Sequence, residues 1–219
     1  MCGRYVLAET AALGERFNAA DDVPSVTPRY NVAPTQSMPV VVKHSPNSLV
    51  LMRWGLIPSW AKAGKSEQLL INARAETLAQ KRMFSKLLSS QRCLVPASGF
   101  YEWQQAAGGK VPHYITLKDE PIFAFAGLYE HGADAQGADV FSYTIITTEP
   151  NALMAPIHNR MPVILSRDEE EFWLNPDETE AERLLPLLKP YPAEKMEATP
   201  VSRAVNNVRN DGPTLLQRV

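Results

Sequence analysis

Short apolar runs broken by turn residues dominate this sequence, and only a few stretches switch to helical spacing. Met38 to Lys43 and Leu49 to Trp54, joined by a Pro-Asn-Ser turn, read as a hairpin. Arg92 to Pro96, Gly99 to Trp103, Val111 to Leu117, Pro121 to Tyr129 and Asp139 to Thr147 read as further strands. Gly108-Gly109 and Lys118-Asp119-Glu120 supply two of the turns between them. Tyr5 to Leu7 is long enough only for an edge strand. Helical spacing predicts a short helix over Glu9 to Phe17 and a longer one ending near Ser90, with Met83, Leu87 and Leu88 apolar and Arg82 near its start. Ser166 and Glu169 fit a capping box that opens a helix through Phe172 and Trp173, closed by Pro176. A second, acidic helix is expected to run to about Leu185 and stop at Pro186. Residues 18 to 37 read as irregular, and Arg29 to Thr35 within them as a loop able to reach a ligand.

Successive strands with short turns imply an antiparallel meander whose strand number favours curling. The expected fold class is α+β: mostly antiparallel sheets curled into a barrel-like core with several peripheral helices. A chain of 219 residues is read as one domain, 1–219, and its 18 prolines favour strands and turns over a helical bundle. There is no repeat, low-complexity segment or linker. No apolar run approaches the roughly 20 residues of a membrane span, and the start lacks a signal peptide. A soluble, cytoplasmic protein with no membrane partner is expected, associated with the nucleoid if bacterial. Cys2 and Cys93 are read as free thiols.

The net charge of -2 does not by itself favour a nucleic-acid partner, but the charges are unevenly placed. Eight acidic residues and no Lys or Arg lie between Asp168 and Glu182. Removing them from the totals leaves 22 basic against 24 − 8 = 16 acidic residues, or +6, so a local basic face is permitted.

Candidate chemistry begins at Cys2. Trimming Met1 leaves this residue with a free α-amine beside its thiol, a 1,2-aminothiol able to condense with an aldehyde into a thiazolidine ring. Asn72 and Arg74 are two apart in a segment that, if extended, puts both on one side. Glu102 points opposite to Tyr101 and Trp103, which taken alone reads as a solvated face. His158 sits in a stiff loop between Pro156 and Pro162, two residues from Arg160; alone it reads as a structural histidine. Trp60, in a polar loop, reads either as tucked into the core or as a stacking surface for bases. The tail from Thr199 to Asn210 carries a hydroxyl, amides and two arginines that could line a phosphate path. No Gly-rich phosphate loop and no zinc spacing is present, so no cofactor or metal is expected.

Six motifs in order run from residue 2 to about 210: Cys-Gly-Arg, Arg-Tyr-Asn-Val-Ala-Pro, Ile-Asn-Ala-Arg-Ala-Glu-Thr, Gly-Phe-Tyr-Glu-Trp, Ile-His-Asn-Arg-Met-Pro and Pro-Val-Ser-Arg-Ala-Val-Asn-Asn-Val. Together they closely resemble the SOS-response-associated peptidase, or SRAP, family, whose members shield abasic sites in single-stranded DNA by covalent attachment. The resemblance implies that Cys2, after Met1 removal, is the crosslinking residue, with Asn72, Glu102 and His158 around it. It implies that Arg4, Arg74, Arg82 and Arg160 hold phosphates with help from Thr147, and that Pro34 and Trp60 wedge against bases near a single-strand/double-strand junction. The family often has a second tryptophan after the position of Trp60; here Ala61 follows, so the wedge is expected to be weaker.

An α-amine titrates near 7.7–8.0, so roughly a tenth of it is the neutral nucleophile at pH 7. Glu102, raised by apolar neighbours such as Phe100, would supply the proton that opens the sugar, and His158 would move protons during imine formation. Asn72 would orient Cys2 or the sugar hydroxyl. The expected partner is single-stranded DNA containing abasic sites, met by a monomer. Two alternatives stay open on sequence alone: a cysteine peptidase limited to removing Met1, with His158 as base, and a noncovalent single-strand binder. Strand scission through the imine would be a side activity of lyase type.

Overall fold

The computed structural model describes residues 2–19, 25–44, 46–61, 69–134 and 136–219. Met1, and Lys62, Gly64 and Lys65 in the loop after Trp60, lie outside the described residues.

Five strands close into a barrel. They are β3 (Ser37–Val42), β4 (Ser48–Trp54), β6 (Arg92–Ala97), β9 (Phe123–Ala133) and β10 (Asp139–Thr148), in the order β10-β4-β3-β6-β9 and back to β10. All neighbours are antiparallel except β4 and β10, which run parallel with Trp54 opposite Tyr143. Where β4 ends, β5 (Asn72–Arg74) takes over the same edge of β10, pairing Asn72 with Ile145. Two short strands, β11 (Met161–Pro162) and β12 (Ile164–Leu165), pair with β10 and β9 respectively. Pro39 lies within β3, outside the Val41–Leu94 pair to β6, so its missing N–H does not interrupt that pairing.

The remaining strands form a separate antiparallel sheet, ordered β13-β8-β7-β1-β2. They are β1 (Tyr5–Leu7), β2 (Arg29–Val32), β7 (Gly99–Ala106), β8 (Gly109–Leu117) and β13 (Met196–Pro200). Alternation gives this sheet two apolar faces. Tyr5, Phe100 and Ile115 join the barrel core, whereas Val6 and Tyr101 pack beneath the C-terminal tail with Val201, Val205 and Leu215. At the seam, the Tyr5 ring meets Trp54 edge-on at 5.2 Å between centroids, and its hydroxyl bonds that of Tyr143 at 2.8 Å.

Several sequence expectations change here. The strands are not one meander, because β8 and β9 enter different sheets once their partners β13 and β6 are folded. Arg29 to Val32 is a strand, not a loop: its backbone pairs β1, and Asp211 accepts the N–H groups of Tyr30 and Asn31. Helix α1 is one turn, Leu13–Arg16, while α2 (Arg82–Ser90) starts at Arg82 as expected. The capping box of α3 (Arg167–Leu174) is present. Helix α4 (Ala181–Leu184) ends just before Pro186 as expected, and a 3-10 turn follows, Leu185–Leu187, with that proline near its start, where its missing N–H is not needed. Among the described residues, no helix is long and apolar enough to cross a membrane.

Candidate functional site

Strand register brings the N-terminus to its neighbours. Tyr5 pairs with Phe100 and Val6 with Gly99, and the Tyr101 N–H donates to the Arg4 carbonyl at 3.0 Å. Continuing that register places Gly3 opposite Glu102, so the chain preceding β1 runs along the strand that carries the acid. Cys2 is fully buried, its sulfur 3.9 Å from the Arg4 carbonyl. Burial, and then the Glu102 charge, push its thiol well above the ordinary range.

Glu102 is 2% exposed, so the solvated-face reading fails. Two consecutive residues of β7 fill opposite faces: Tyr101 packs under the tail, and Glu102 follows Phe100 toward the barrel side. Burial raises the Glu102 carboxyl above its usual value. The Nε2 atom of His158 lies 4.0 Å from Glu102 Oε2. His158 is held by its own N–H to the Met154 carbonyl at 2.8 Å, and its Nδ1 accepts the Arg160 N–H at 3.0 Å. That bond uses the Nδ1 lone pair, so the ring hydrogen sits on Nε2, facing the acid. Burial lowers the His158 pKa, which keeps the ring neutral.

Asn72 enters from the barrel. Its Nδ2 reaches the Ile145 carbonyl at 3.4 Å, while its Oδ1 is buried and has no hydrogen-bond partner among the described residues. A buried acceptor left open costs free energy unless a donor arrives. Asn72 and Arg74 both lie on the extended β5, as their spacing predicted; Arg74 is exposed.

The expected phosphate ligands fall into two groups. Arg74 and Arg82 are exposed and have no ion-pair partner among the described residues. Arg160 is already engaged: its guanidinium grips Glu76 with bonds of 2.6 and 3.0 Å and donates to the Thr147 carbonyl at 2.6 Å and hydroxyl at 3.2 Å. Thr147 is itself buried. Arg4 is half-buried and donates to Asn31 Oδ1 at 3.3 Å and to the Val205 carbonyl at 3.1 Å. Pro34 is half-buried, and Trp60 stands out with 74% of its surface exposed. Among the described residues no cluster of ligating side chains could hold a metal ion.

Sequence reasoning missed three parts of this arrangement. Asn31 is fully buried and its Nδ2 serves the carbonyls of Val205, Asn207 and Asn210, tying the tail to β2 behind Arg4. His113 is the cross-strand partner of Glu102 on β8. Glu76 holds Arg160 across 84 residues of sequence. No local pattern signals such pairings. The tail motif read as a phosphate path turns out to be largely occupied: Arg203 donates to the Gly108 carbonyl and Asn206 accepts from the Trp103 indole.

The sequence profile described as SOS response associated peptidase (SRAP) matches residues 1–208. Abasic site processing protein YoqW of Bacillus subtilis (strain 168) is 47% identical over 222 residues, covering 99% of each chain. Abasic site processing protein HMCES of Gallus gallus is 36% identical over 222 residues, covering 86% of this chain and 66% of that protein. A crystal structure from Bacteroides thetaiotaomicron superposes with a TM-score of 0.88 at 33% identity, with 100% of each chain covered. With its profile matched almost end to end and its fold shared, this chain belongs to the SOS response associated peptidase (SRAP) family.

Proposed function

We propose that this protein captures abasic sites in single-stranded DNA through a thiazolidine formed by Cys2 after removal of Met1, and so shields them. The observation that carries the reading is a buried carboxyl, Glu102, with His158 at 4.0 Å, on the strand along which the Cys2 segment runs. The names of the relatives, abasic site processing proteins, support the substrate.

The chemistry follows from those groups. Glu102, whose carboxyl burial shifts toward its protonated form, delivers a proton to the sugar ring oxygen as the ring hydroxyl gives up its own, and the aldehyde is exposed. The Cys2 α-amine adds to the aldehyde carbon, and the carbinolamine loses one water to give an imine. The thiol then adds across the C=N bond; its sulfur bonds carbon and its proton ends on nitrogen, closing the ring. Neutral His158 accepts and returns protons during these transfers. The open Asn72 Oδ1 takes a hydrogen bond from the amine or a sugar hydroxyl. Arg4, Arg74, Arg82, Arg160 and Thr147 line the strand, and Pro34 and Trp60 contact bases, with a single protomer sufficient. β-Elimination from the imine would cut the strand as a side activity.

The raised Cys2 thiol counts against the peptidase alternative, which needs a thiolate to attack an amide. Ring closure needs only the neutral thiol and a proton acceptor. Intact mass spectrometry with an abasic single-stranded oligonucleotide tests the reading. The protein lacking Met1 should gain the oligonucleotide mass less one water, and Cys2→Ala should not. Capture by a protein whose α-amine is acetylated would overturn the mechanism.

A further inference from the structure

Trp60 is the most exposed large aromatic described, yet the arm that carries it is fastened to the barrel. The Gly55 N–H donates to the Tyr143 carbonyl at 2.9 Å, and Leu56 forms an antiparallel bridge with Leu70. The Ile57 N–H donates to the buried Ser142 Oγ at 2.9 Å. The Ala61 N–H closes a turn onto the Pro58 carbonyl at 2.8 Å. Beneath the arm lies Gly132, where an added Cβ would stand 3.2 Å from the Ile57 carbonyl and 3.6 Å from the Ser59 Cα. The nearer atom is backbone and tighter than ordinary contact, so a Cβ here asks the arm to give by a few tenths of an ångström and a branched side chain asks for more.

We infer that Gly132 and Ser142 are positioning residues that seat the arm of residues 56–60 and thereby pre-set Trp60 as a stacking platform for a base next to the captured site. The inference rests on the proposed DNA-binding reading. Gly132 pairs with Val140, and Asn72 pairs with Ile145, so the seat and the pocket lie five residues apart along β10, about 17 Å. The seat is offset from the pocket along β10, so the arm is placed to meet a base beside the abasic site rather than the site itself. A seated arm loses little conformational freedom on binding, which is where pre-organisation gains affinity.

The test is a double-mutant cycle read by oligonucleotide affinity, with crosslinking at saturating DNA measured on the same samples. Base stacking on an aromatic is worth about 1–3 kcal/mol, so Trp60→Ala should weaken binding by about fivefold or more. Gly132→Val should weaken it to a similar extent, with Ser142→Ala and Gly132→Ala smaller and in the same direction. In the Trp60→Ala background, Gly132→Val and Ser142→Ala should each add nothing. Full crosslinking at saturating DNA shows that the pocket and the fold are intact. Affinity losses that persist undiminished without Trp60, or single variants that bind as the parent does, overturn the seat while leaving the Cys2 reading standing. Loss of crosslinking in the parent protein sinks that reading instead.

Discussion

Replacing Glu102 by Gln separates chemistry from stability, because the two are expected to move in opposite directions. The side chain keeps its size but can neither deliver a proton nor ionise. Loss of a positioned general acid costs typically 10²–10⁴-fold in rate, or about 3–5 kcal/mol of barrier. Stability should rise. Burial raises the folded-state pKa of Glu102 above its unfolded value, so folding favours the neutral form. Below the unfolded carboxylate pKa of about 4.3, the acid is neutral in both states and no penalty applies. As pH rises through the folded-state value, that favourable contribution is lost. The Gln variant carries no such loss, so its melting temperature should exceed the parent's at pH 7 and match it near pH 4. Single-turnover crosslinking from pH 5 to 9 provides the kinetic half. The parent should give a bell, rising as the α-amine deprotonates and falling as Glu102 ionises; the variant should lack the alkaline fall. A Gln variant that crosslinks at the parental rate, or that melts lower at pH 7, would refute the assignment of Glu102 as a buried acid.

Asn31→Ala removes an amide that serves three tail carbonyls and accepts from Arg4, with Nδ2 distances of 3.1, 3.1 and 2.9 Å. Losing this amide, which by itself joins β2 to three carbonyls of the tail, should cost roughly 2–4 kcal/mol, or a melting-temperature drop of about 5–15 °C by calorimetry. A drop of a degree or less would mean that the tail is held elsewhere. Glu76→Gln releases Arg160 from its bidentate partner, whose own pKa is lowered by that hydrogen bond. The freed guanidinium should tighten oligonucleotide binding and steepen the slope of log affinity against log salt by about 0.7, one added single-strand phosphate contact. An unchanged slope would remove Arg160 from the phosphate track.

Elements legible in the sequence are those decided within a few residues. The hairpin of β3 and β4, the capping box on Ser166 and Glu169, and the start of α2 at Arg82 follow from alternation, capping chemistry and helical spacing. The shared face of Asn72 and Arg74 followed from strand period alone. Elements that need a distant partner were not legible. Arg29 to Val32 alternates over only four residues beside Pro28 and Pro34, and becomes a strand because β1 and Asp211 satisfy its backbone. Glu102 has the flanks of an ordinary surface residue, and is buried only because the barrel closes over that face of β7.

The sequence by itself determined which side chains exist and the order in which the chain meets them: a thiol next to Met1, an amide, an acid and a histidine. Tertiary structure decided their state. Closing the barrel and packing the second sheet against it drew Cys2 and Glu102 out of water, which raised both above their ordinary values. The same folding turned the His158 hydrogen toward the acid and committed Arg160 to Glu76. The physical reason is that identity is written residue by residue, whereas solvation and pairing depend on segments up to two hundred residues apart in the chain, as with Arg4 and Val205.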